Sequence, residues 1–415
     1  MNIAICPAFA YEPQFTDNTK TIRLHWRSEF INLTLSNSLR QPAANIKPNS
    51  DIVGALRSSL KAWEAVTNVK FVTVWSDKVS ISQSEGNGDG ASLITIAATP
   101  ENVAPFQGDS GEMFGRTRTF YDRRGNITEA DIVLNPYQQF STDGTFGTFD
   151  LEAALTHEIG HLLGLDHSAV LAATMYAQQG KNGTFSLSAF APRSLAEDDR
   201  AGIRSLYGAK IENETCCGAV TGILTSFNGK QLANWQVWTE DIVTGKLFAE
   251  VATNDTGAWN IGGLPNGKYR VVAQAEKFNS ETLGEIVIEA DKTTILNYKL
   301  APRAHLFDSL LLGFNGQLSP LPVPLNTGGH WQTVFLGGKN INVVSLGAGA
   351  LTASSPYLQI SSESLTKQDF DTTFNVASFN IHLTPDSPPG EYNLHIQYLS
   401  GETIYLLGCF TVDQN

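Results

Sequence analysis

The stretch HEIGHLLGLDH, residues 157–167, decides how the first half of this chain is built. His157 and His161 are four positions apart, so on an α-helix they share one face, one turn from each other. Gly164 can end that helix, because glycine enters the left-handed region at no steric cost. A reversal there brings His167 back toward the first two histidines. Three neutral imidazoles make a three-ligand zinc site and leave a fourth position for water. Glu158 sits beside the first ligand, where its carboxylate can reach that water as a general base. Histidine makes up 8 of 415 residues. Three at set positions therefore arise by chance on the order of once in 10^5 starts, and the glutamate and glycine lower that further.

The flanks agree with a helix. Phe149, Leu151, Ala153, Ala154 and Leu155 lead in, with Asp150 as N-cap. Ala153 stands where a capping box needs a glutamate, so no box is expected at this end. Ile159, Leu162 and Leu163 supply the apolar stripe, and the histidines face a cleft.

HEIGHLLGLDHS followed by ATMYA resembles the metzincin peptidases, and within them the matrixins. That clan extends a short zinc motif to a third histidine and adds a methionine turn beneath the metal. Met175, in residues 172–176, matches the turn. Ser168 after the third histidine is the matrixin-type residue, where astacins and adamalysins carry an acid. SLAEDDRAGIRSLYG, residues 194–208, is similar to the matrixin C-terminal helix. Ser194 and Glu197 read as its capping box and Gly208 as its stop. The resemblance implies that an aspartate of this helix braces the methionine turn, and Asp198 and Asp199 occupy the matching pair. It further implies a zinc metalloendopeptidase on an α+β domain, a twisted sheet with three helices, over about residues 20–210.

Upstream residues fit that domain. Ile52, Leu56, Leu60 and Trp63 have helical spacing within residues 50–63. Residues 70–74, 93–97, 115–121 and 131–134 read as strands. By analogy, residues 115–119 form an edge strand to which an extended peptide can add by backbone pairing, or an ordinary edge. There are departures from the family. Only His25 lies outside the motif before residue 210, so one zinc is expected and no second, histidine-rich one. No PRCGVPD-type cysteine switch exists, and Cys6 sits in no such context. Ala177 stands where the family has proline, at the start of the loop 177–193 that shapes its main specificity pocket. Residues 85–90, EGNGDG, could wrap Ca2+ through carboxylate and carbonyl oxygens, or form a plain turn.

A chain of 415 residues implies several domains. The net charge of −13, without basic runs, argues against a nucleic-acid partner. Charged residues are only 17% of the chain, which suits β-rich extracellular material. No apolar stretch reaches the length of a membrane span. Ala8-Phe9-Ala10 looks like the small-x-small end of a trimmed leader within residues 1–19, or belongs to an ordinary terminus. The cysteines are Cys6, Cys216, Cys217 and Cys409, too few for a disulfide scaffold. Free buried thiols are the default, pairing of Cys409 with Cys216 or Cys217 is open, and a bond between the adjacent pair is rare.

After a polar linker at residues 209–215, short strands alternate with turn signals. The turns fall at Asn228-Gly229, Thr244-Gly245, Gly257 and Pro265-Asn266-Gly267. GAVTG, VTGK and TGAWNIGGLPNGKYRV resemble the carboxypeptidase-regulatory-like domain, a small sandwich, at residues 216–302. Trp235, Trp238 and Trp259 read as core or as exposed carbohydrate-stacking rings. Residues 303–415 form a third β-rich unit, with strands expected at 335–346, 357–360, 374–383 and 392–398. PPGEYNLHIQYLSGE there resembles Ig-like modules, and His382 and His395 read as packing or surface residues. The fold class is thus multidomain: an α+β metzincin-like catalytic domain followed by two all-β sandwich domains. The function expected is a secreted zinc endopeptidase acting on protein or peptide, with matrix or cell-surface contacts through the β-modules. Two alternatives stay open: a non-enzymatic surface adhesin or binding protein with a structural zinc, and a hydrolase of a non-peptide bond.

Overall fold

The structure is a computed structural model and describes residues 13–17, 20–41, 43–108, 113–191, 193–210, 216–305, 310–347, 349–370 and 373–413. Cys6, the leader-like residues 8–10 and most of the linker at 209–215 lie outside the described residues.

The first unit is an α+β layer. Its strands are β1 (Phe30–Ser36), β2 (Lys70–Ser76), β3 (Leu93–Thr95), β4 (Gly115–Tyr121), β5 (Ile127–Leu134) and the short pair β6 (Phe140–Ser141) and β7 (Phe149–Asp150). Its helices are α1 (Ile52–Glu64), the short α2 (Pro100–Val103), α3 (Leu151–Leu162) and α4 (Glu197–Tyr207). The main sheet runs β2-β1-β3-β5-β4. Its first four strands are parallel, and β4 is antiparallel to β5 at the edge. Parallel strands need long crossovers, and α1 fills the one between β1 and β2.

Helix α1 starts because the Asp51 carboxylate accepts the Gly54 N–H at 2.8 Å. Its apolar side, Leu56, Leu60 and Trp63, packs with Leu155, Ile159 and Leu162 of α3 and Ile31, Leu33 and Ile132 of the sheet. Polar pins set the α1–α3 register: Trp63 Nε1 donates to Thr156 O at 2.9 Å and Ser59 Oγ to Glu152 O at 2.9 Å. The last carbonyls of α3 are also satisfied. Trp26 Nε1 donates to Leu162 O at 2.8 Å and Tyr207 Oη to Leu163 O at 2.6 Å.

Three expectations change here. Strand β1, at the centre of the fold's parallel core, had no separate signal, and β5 begins four residues before residue 131. Helix α4 is not capped by Ser194 and Glu197. Its N-cap is Ala196, whose N–H donates to the Asp199 carboxylate at 2.9 Å. Asp199 is drawn inward by other donors in the same place, and that fixes where the helix begins.

The second unit packs β10 (Leu247–Ala252), β9 (Gln236–Asp241), β12 (Gly267–Ala275) and β13 (Phe278–Ile288) against β11 (Ala258–Pro265), β8 (Cys216–Ser226), β14 (Thr293–Ile295) and β15 (Tyr298–Leu300). Trp235, Trp238 and Trp259 are 3%, 0% and 3% exposed, so none is available for stacking on a sugar. Alternation along a strand marks two faces, but only the second sheet decides which face is covered. Cys216 and Cys217 are joined to each other, which corrects the expectation of free thiols. Cys409 is free, enclosed in the core of the third unit and out of their reach.

The third unit has one sheet of β17 (Gln317–Ser319), β16 (Leu311–Phe314), β19 (Trp331–Gly338), β23 (Asn375–Leu383), β21 (Leu358–Ile360) and β22 (Thr366–Gln368). Its other sheet is β18 (Val323–Leu325), β25 (Thr403–Val412), β24 (Gly390–Gln397) and β20 (Leu351–Ala353). The strand expected at 335–346 ends at Gly338. Residues Val343–Leu346 form a short helix, α5, capped by the Asn342 side chain on Val344 N–H at 3.0 Å.

The three units share a junction. Val170, Ala173 and Ala196 of the first pack with Trp238, Leu247 and Val272 of the second and Leu407 of the third. Leu171 N–H donates to Leu407 O at 3.0 Å, and Asn393 Nδ2 to the buried Glu240 carboxylate at 2.6 Å. Val170 lies three residues after the third histidine, so the junction begins one short step along the chain from the histidine cluster.

Candidate metal centre

The cluster is assembled by one helix, one glycine and one buried turn. Asp150 caps α3 by accepting the Ala153 N–H at 3.0 Å, and Arg193 closes on the same carboxylate at 2.7 Å. His157 and His161 then project from one face. Gly164, at φ +94°, reverses the chain, and a Cβ there would sit 2.5 Å from Leu24 O. Gly164→Ala is therefore expected to combine left-handed strain with a backbone clash and to cost about 1–3 kcal/mol. A urea midpoint unchanged at fixed zinc concentration would contradict this. The reversal returns His167, whose N–H donates to Asp166 Oδ1 at 2.8 Å.

The ligand atoms of His157, His161 and His167 all lie within 4.8 Å of one another. His157 Nε2 is 3.1 Å from His161 Nε2, which is 3.3 Å from His167 Nε2. Zinc bonded at 2.0–2.1 Å with tetrahedral angles sets its nitrogens about 3.3 Å apart. The outer nitrogens define the tautomers. His157 Nδ1 lies 2.7 Å from Thr174 O and His161 Nδ1 lies 2.8 Å from Leu165 O. A carbonyl can only accept, so both Nδ1 atoms carry the proton and both Nε2 lone pairs face inward. Two lone pairs cannot hydrogen-bond each other, and a cation between them satisfies both. Burial, with the neighbouring imidazoles, pushes the His157 pKa well below the usual range, and burial brings that of His167 down to about 4. The neutral, metal-binding form is thus favoured.

His157 is 2% exposed, with the Phe114 ring edge-on at 5.0 Å, while His161 and His167 are half-buried. Glu158 is 2% exposed, and burial raises its carboxyl pKa. Thr117 on β4 holds it: the Thr117 hydroxyl lies 2.6 Å from Glu158 Oε2 and 3.0 Å from Glu158 O. Gly115 makes room, since a Cβ there would sit 2.7 Å from Glu158 Oε1. The edge strand and the glutamate are thus in direct contact.

Met175 is fully buried beneath the cluster, where its sulfur abuts Gly160 of α3. The two aspartates of α4 divide the work. Asp199 accepts the N–H groups of Thr174 at 2.8 Å and Met175 at 3.0 Å, holding the turn whose Thr174 carbonyl orients His157. Asp198 accepts the Ser168 hydroxyl at 2.6 Å and, across the junction, the Glu250 N–H of β10 at 2.8 Å. Burial raises the pKa of both aspartates.

All sequence-expected site residues meet here: His157, Glu158, His161, Gly164, His167, Met175, Asp198 and Asp199. Thr117, Phe114 and the Thr174 carbonyl had no signal of their own. Among the described residues, the three histidines are the only group of three or more His, Cys, Asp or Glu placed to hold a metal. In residues 85–90, Asp89 pairs with Lys78, and the Gly90 N–H is donated to the Glu129 carboxylate. His25 lies beside Arg23 O at 3.3 Å, His382 beside the Trp331 ring and His395 against Tyr405.

Residues 25–208 match the family model described as Matrixin, and residues 219–301 that described as Carboxypeptidase regulatory-like domain. The chain is similar to stromelysin-1 of Rattus norvegicus, 32% identical over 167 residues, covering 40% of this chain and 30% of that protein. Metalloendoproteinase 1 of Glycine max is 33% identical over 141 residues, 32% of this chain and 42% of its own. Karilysin of Tannerella forsythia is 26% identical over 198 residues, 46% of this chain and 36% of its own. The chain thus spans less than half the length of each of these relatives. A solved major pilin subunit of Bacillus cereus covers 45% of this chain and 66% of its own at 12% identity, with a TM-score of 0.18, too low to bear on the fold.

Proposed function

We propose, since this chain carries a matrixin domain at residues 25–208 and a carboxypeptidase regulatory-like domain at 219–301, that it is a secreted zinc-dependent endopeptidase. Its divisions are a peptidase domain at 20–210, a regulatory-like sandwich at 216–302 and an Ig-like sandwich at 303–415. The observation that carries the reading is the convergence of three inward-facing Nε2 atoms next to a buried carboxylate.

His157, His161 and His167 hold one zinc. Bound there, zinc supplies a Lewis acid that polarises the scissile carbonyl and acidifies a water molecule. Glu158 accepts a proton from the attacking water and hands it to the departing amine nitrogen, so the peptide bond breaks into a carboxylate and an amine. Burial raises the Glu158 pKa, which makes its carboxylate a stronger base, and the Thr117 hydroxyl keeps one oxygen in place. Strand β4, at the sheet edge beside Glu158, offers its open side to an extended peptide. A structural site has no use for a buried base beside its ligands, which weighs against the adhesin reading.

No helix among the described residues is long and apolar enough to cross a membrane. The acidic chain fits peptide substrates rather than nucleic acid. The reading is tested with casein or gelatin. Cleavage is expected to generate new α-amino groups, to stop on chelation and to return with added zinc. Cleavage that survives complete chelation would contradict it.

A further inference from the structure

The segment that leaves the methionine turn, residues 176–191, joins the histidine cluster to the third unit. Its near part lies along the first unit. Lys181 Nζ sits over the Phe149 ring at 4.9 Å and reaches Gln138 Oε1 at 3.0 Å. The Phe149 ring is 5.6 Å from Phe114, whose ring is 5.0 Å from His157. The segment is thus two rings from the cluster and borders it. Asn182 N–H donates to Thr148 O at 2.9 Å and Asn182 O accepts the Gly147 N–H at 2.7 Å, which fixes this part.

Its far part belongs to the third unit. The Phe185 side chain is fully buried in that unit's core, with Phe190 at 5.5 Å and Phe314 at 6.3 Å. The tip of the β16–β17 hairpin clasps its backbone from both sides. Phe185 N–H donates to Gln317 Oε1 at 2.7 Å, and Asn315 Nδ2 donates to Phe185 O at 2.9 Å. Tyr176 Oη donates to Pro320 O at 3.2 Å, so the start of the segment is tied to the same region. Phe185 has φ +53° and Ser186 φ +62°. A bulky residue holds the left-handed region only when its surroundings enforce it. Bonds within the turn, Gly183 N–H to Leu187 O at 2.7 Å and Ser186 N–H to Gly183 O at 3.0 Å, are joined by the Asn315 and Gln317 contacts from a domain outside the one that bears the histidines.

We infer that the β16–β17 hairpin is a working part of the substrate cleft: by holding residues 176–191 it sets the wall beside the histidine cluster and so which substrate side chain is accepted. This rests on the endopeptidase reading. Hairpin residues Asn315 and Gln317 are then specificity-positioning residues that never touch substrate. They act on the backbone of Phe185, and Phe185 acts as the anchor.

The test uses the full-length zinc-loaded protein and two sets of peptides, one varied only at the residue before the scissile bond and one only at the residue after it, each from alanine through leucine to tryptophan. The variants are the pair Asn315→Ala with Gln317→Ala, which removes the clasp without opening the core, and Phe185→Leu, which keeps an apolar anchor. Simple destabilisation lowers kcat/KM for every peptide by the same factor and leaves the ratios alone. The inference expects the ratio between the largest and smallest side chains to shift by at least about fivefold, since one methylene more or less on a substrate in an apolar pocket is worth about ten- to two-hundred-fold. Ratios within twofold of wild type in both variants would overturn it while leaving the endopeptidase reading intact. A wild type that cleaves none of the peptides and no casein takes down that reading and the inference with it.

Discussion

Glu158→Ala is expected to retain one zinc per chain and to lose peptide cleavage by about 10^2–10^4-fold, the range that a positioned general base contributes. The two halves of this result separate binding from chemistry. None of the contacts that orient the histidines uses the Glu158 side chain: His157 is oriented by Thr174 O and His161 by Leu165 O. Metal content should therefore stay near one equivalent per chain. Glu158→Gln keeps the shape and the Thr117 contact but cannot take a proton, and should lose about as much activity. A Glu158→Ala protein that cleaves at the wild-type rate with its zinc in place would remove the glutamate from the mechanism. One that loses its zinc would instead make the carboxylate part of the binding site.

Asp199→Ala should be the most damaging substitution away from the metal ligands. It strands three backbone N–H groups, those of Thr174, Met175 and Ala196. Each buried donor left without an acceptor costs about 1–3 kcal/mol. Against this stands the cost of burying the carboxylate itself. Burial raises the Asp199 pKa. A carboxyl raised in the folded state lends stability that is present below its unfolded pKa and is lost as pH rises through the folded one. Part of the substitution's cost is therefore recovered at neutral pH, and the net loss should be about 2–5 kcal/mol at pH 7. The loss should be larger near pH 4, where that recovery is absent. Denaturant melts at the two pH values read it directly. Zinc affinity should also fall about 10–100-fold, because the freed turn carries the carbonyl that orients His157. Unchanged melts and affinity would show that the turn holds without its aspartate.

What could be read from the letters follows from how far apart the partners are in the chain. The histidines, Glu158 and Gly164 fall within one helix and one reversal, so spacing alone implies their geometry. Met175 and the aspartates of α4 needed the resemblance, because nothing local says that a helix some 25 residues later will hold a turn. Even then the sequence pointed to a pair, and only the contacts assign the turn to Asp199 and the second unit's Glu250 N–H to Asp198. Thr117 and Phe114 were illegible for the same reason: their partners are about 40 residues away, across the fold. The tryptophans show the limit of alternation, which marks faces without saying what covers them. The start of α4 shows a local rule overridden, since Ser194 and Glu197 form a proper capping pattern that the buried Asp199 pre-empts. The clasp on Phe185 joins residues about 130 positions apart and leaves no trace in either segment's pattern.

The central claim, that one zinc held by His157, His161 and His167 makes this chain a peptidase, is tested most directly by titrating the metal-free full-length protein with zinc while following peptide cleavage. Activity is expected to rise linearly and to break at one equivalent per chain, and not to appear at any zinc level in His161→Ala. Cleavage by the metal-free protein, or wild-type activity in His161→Ala at one equivalent, would contradict it.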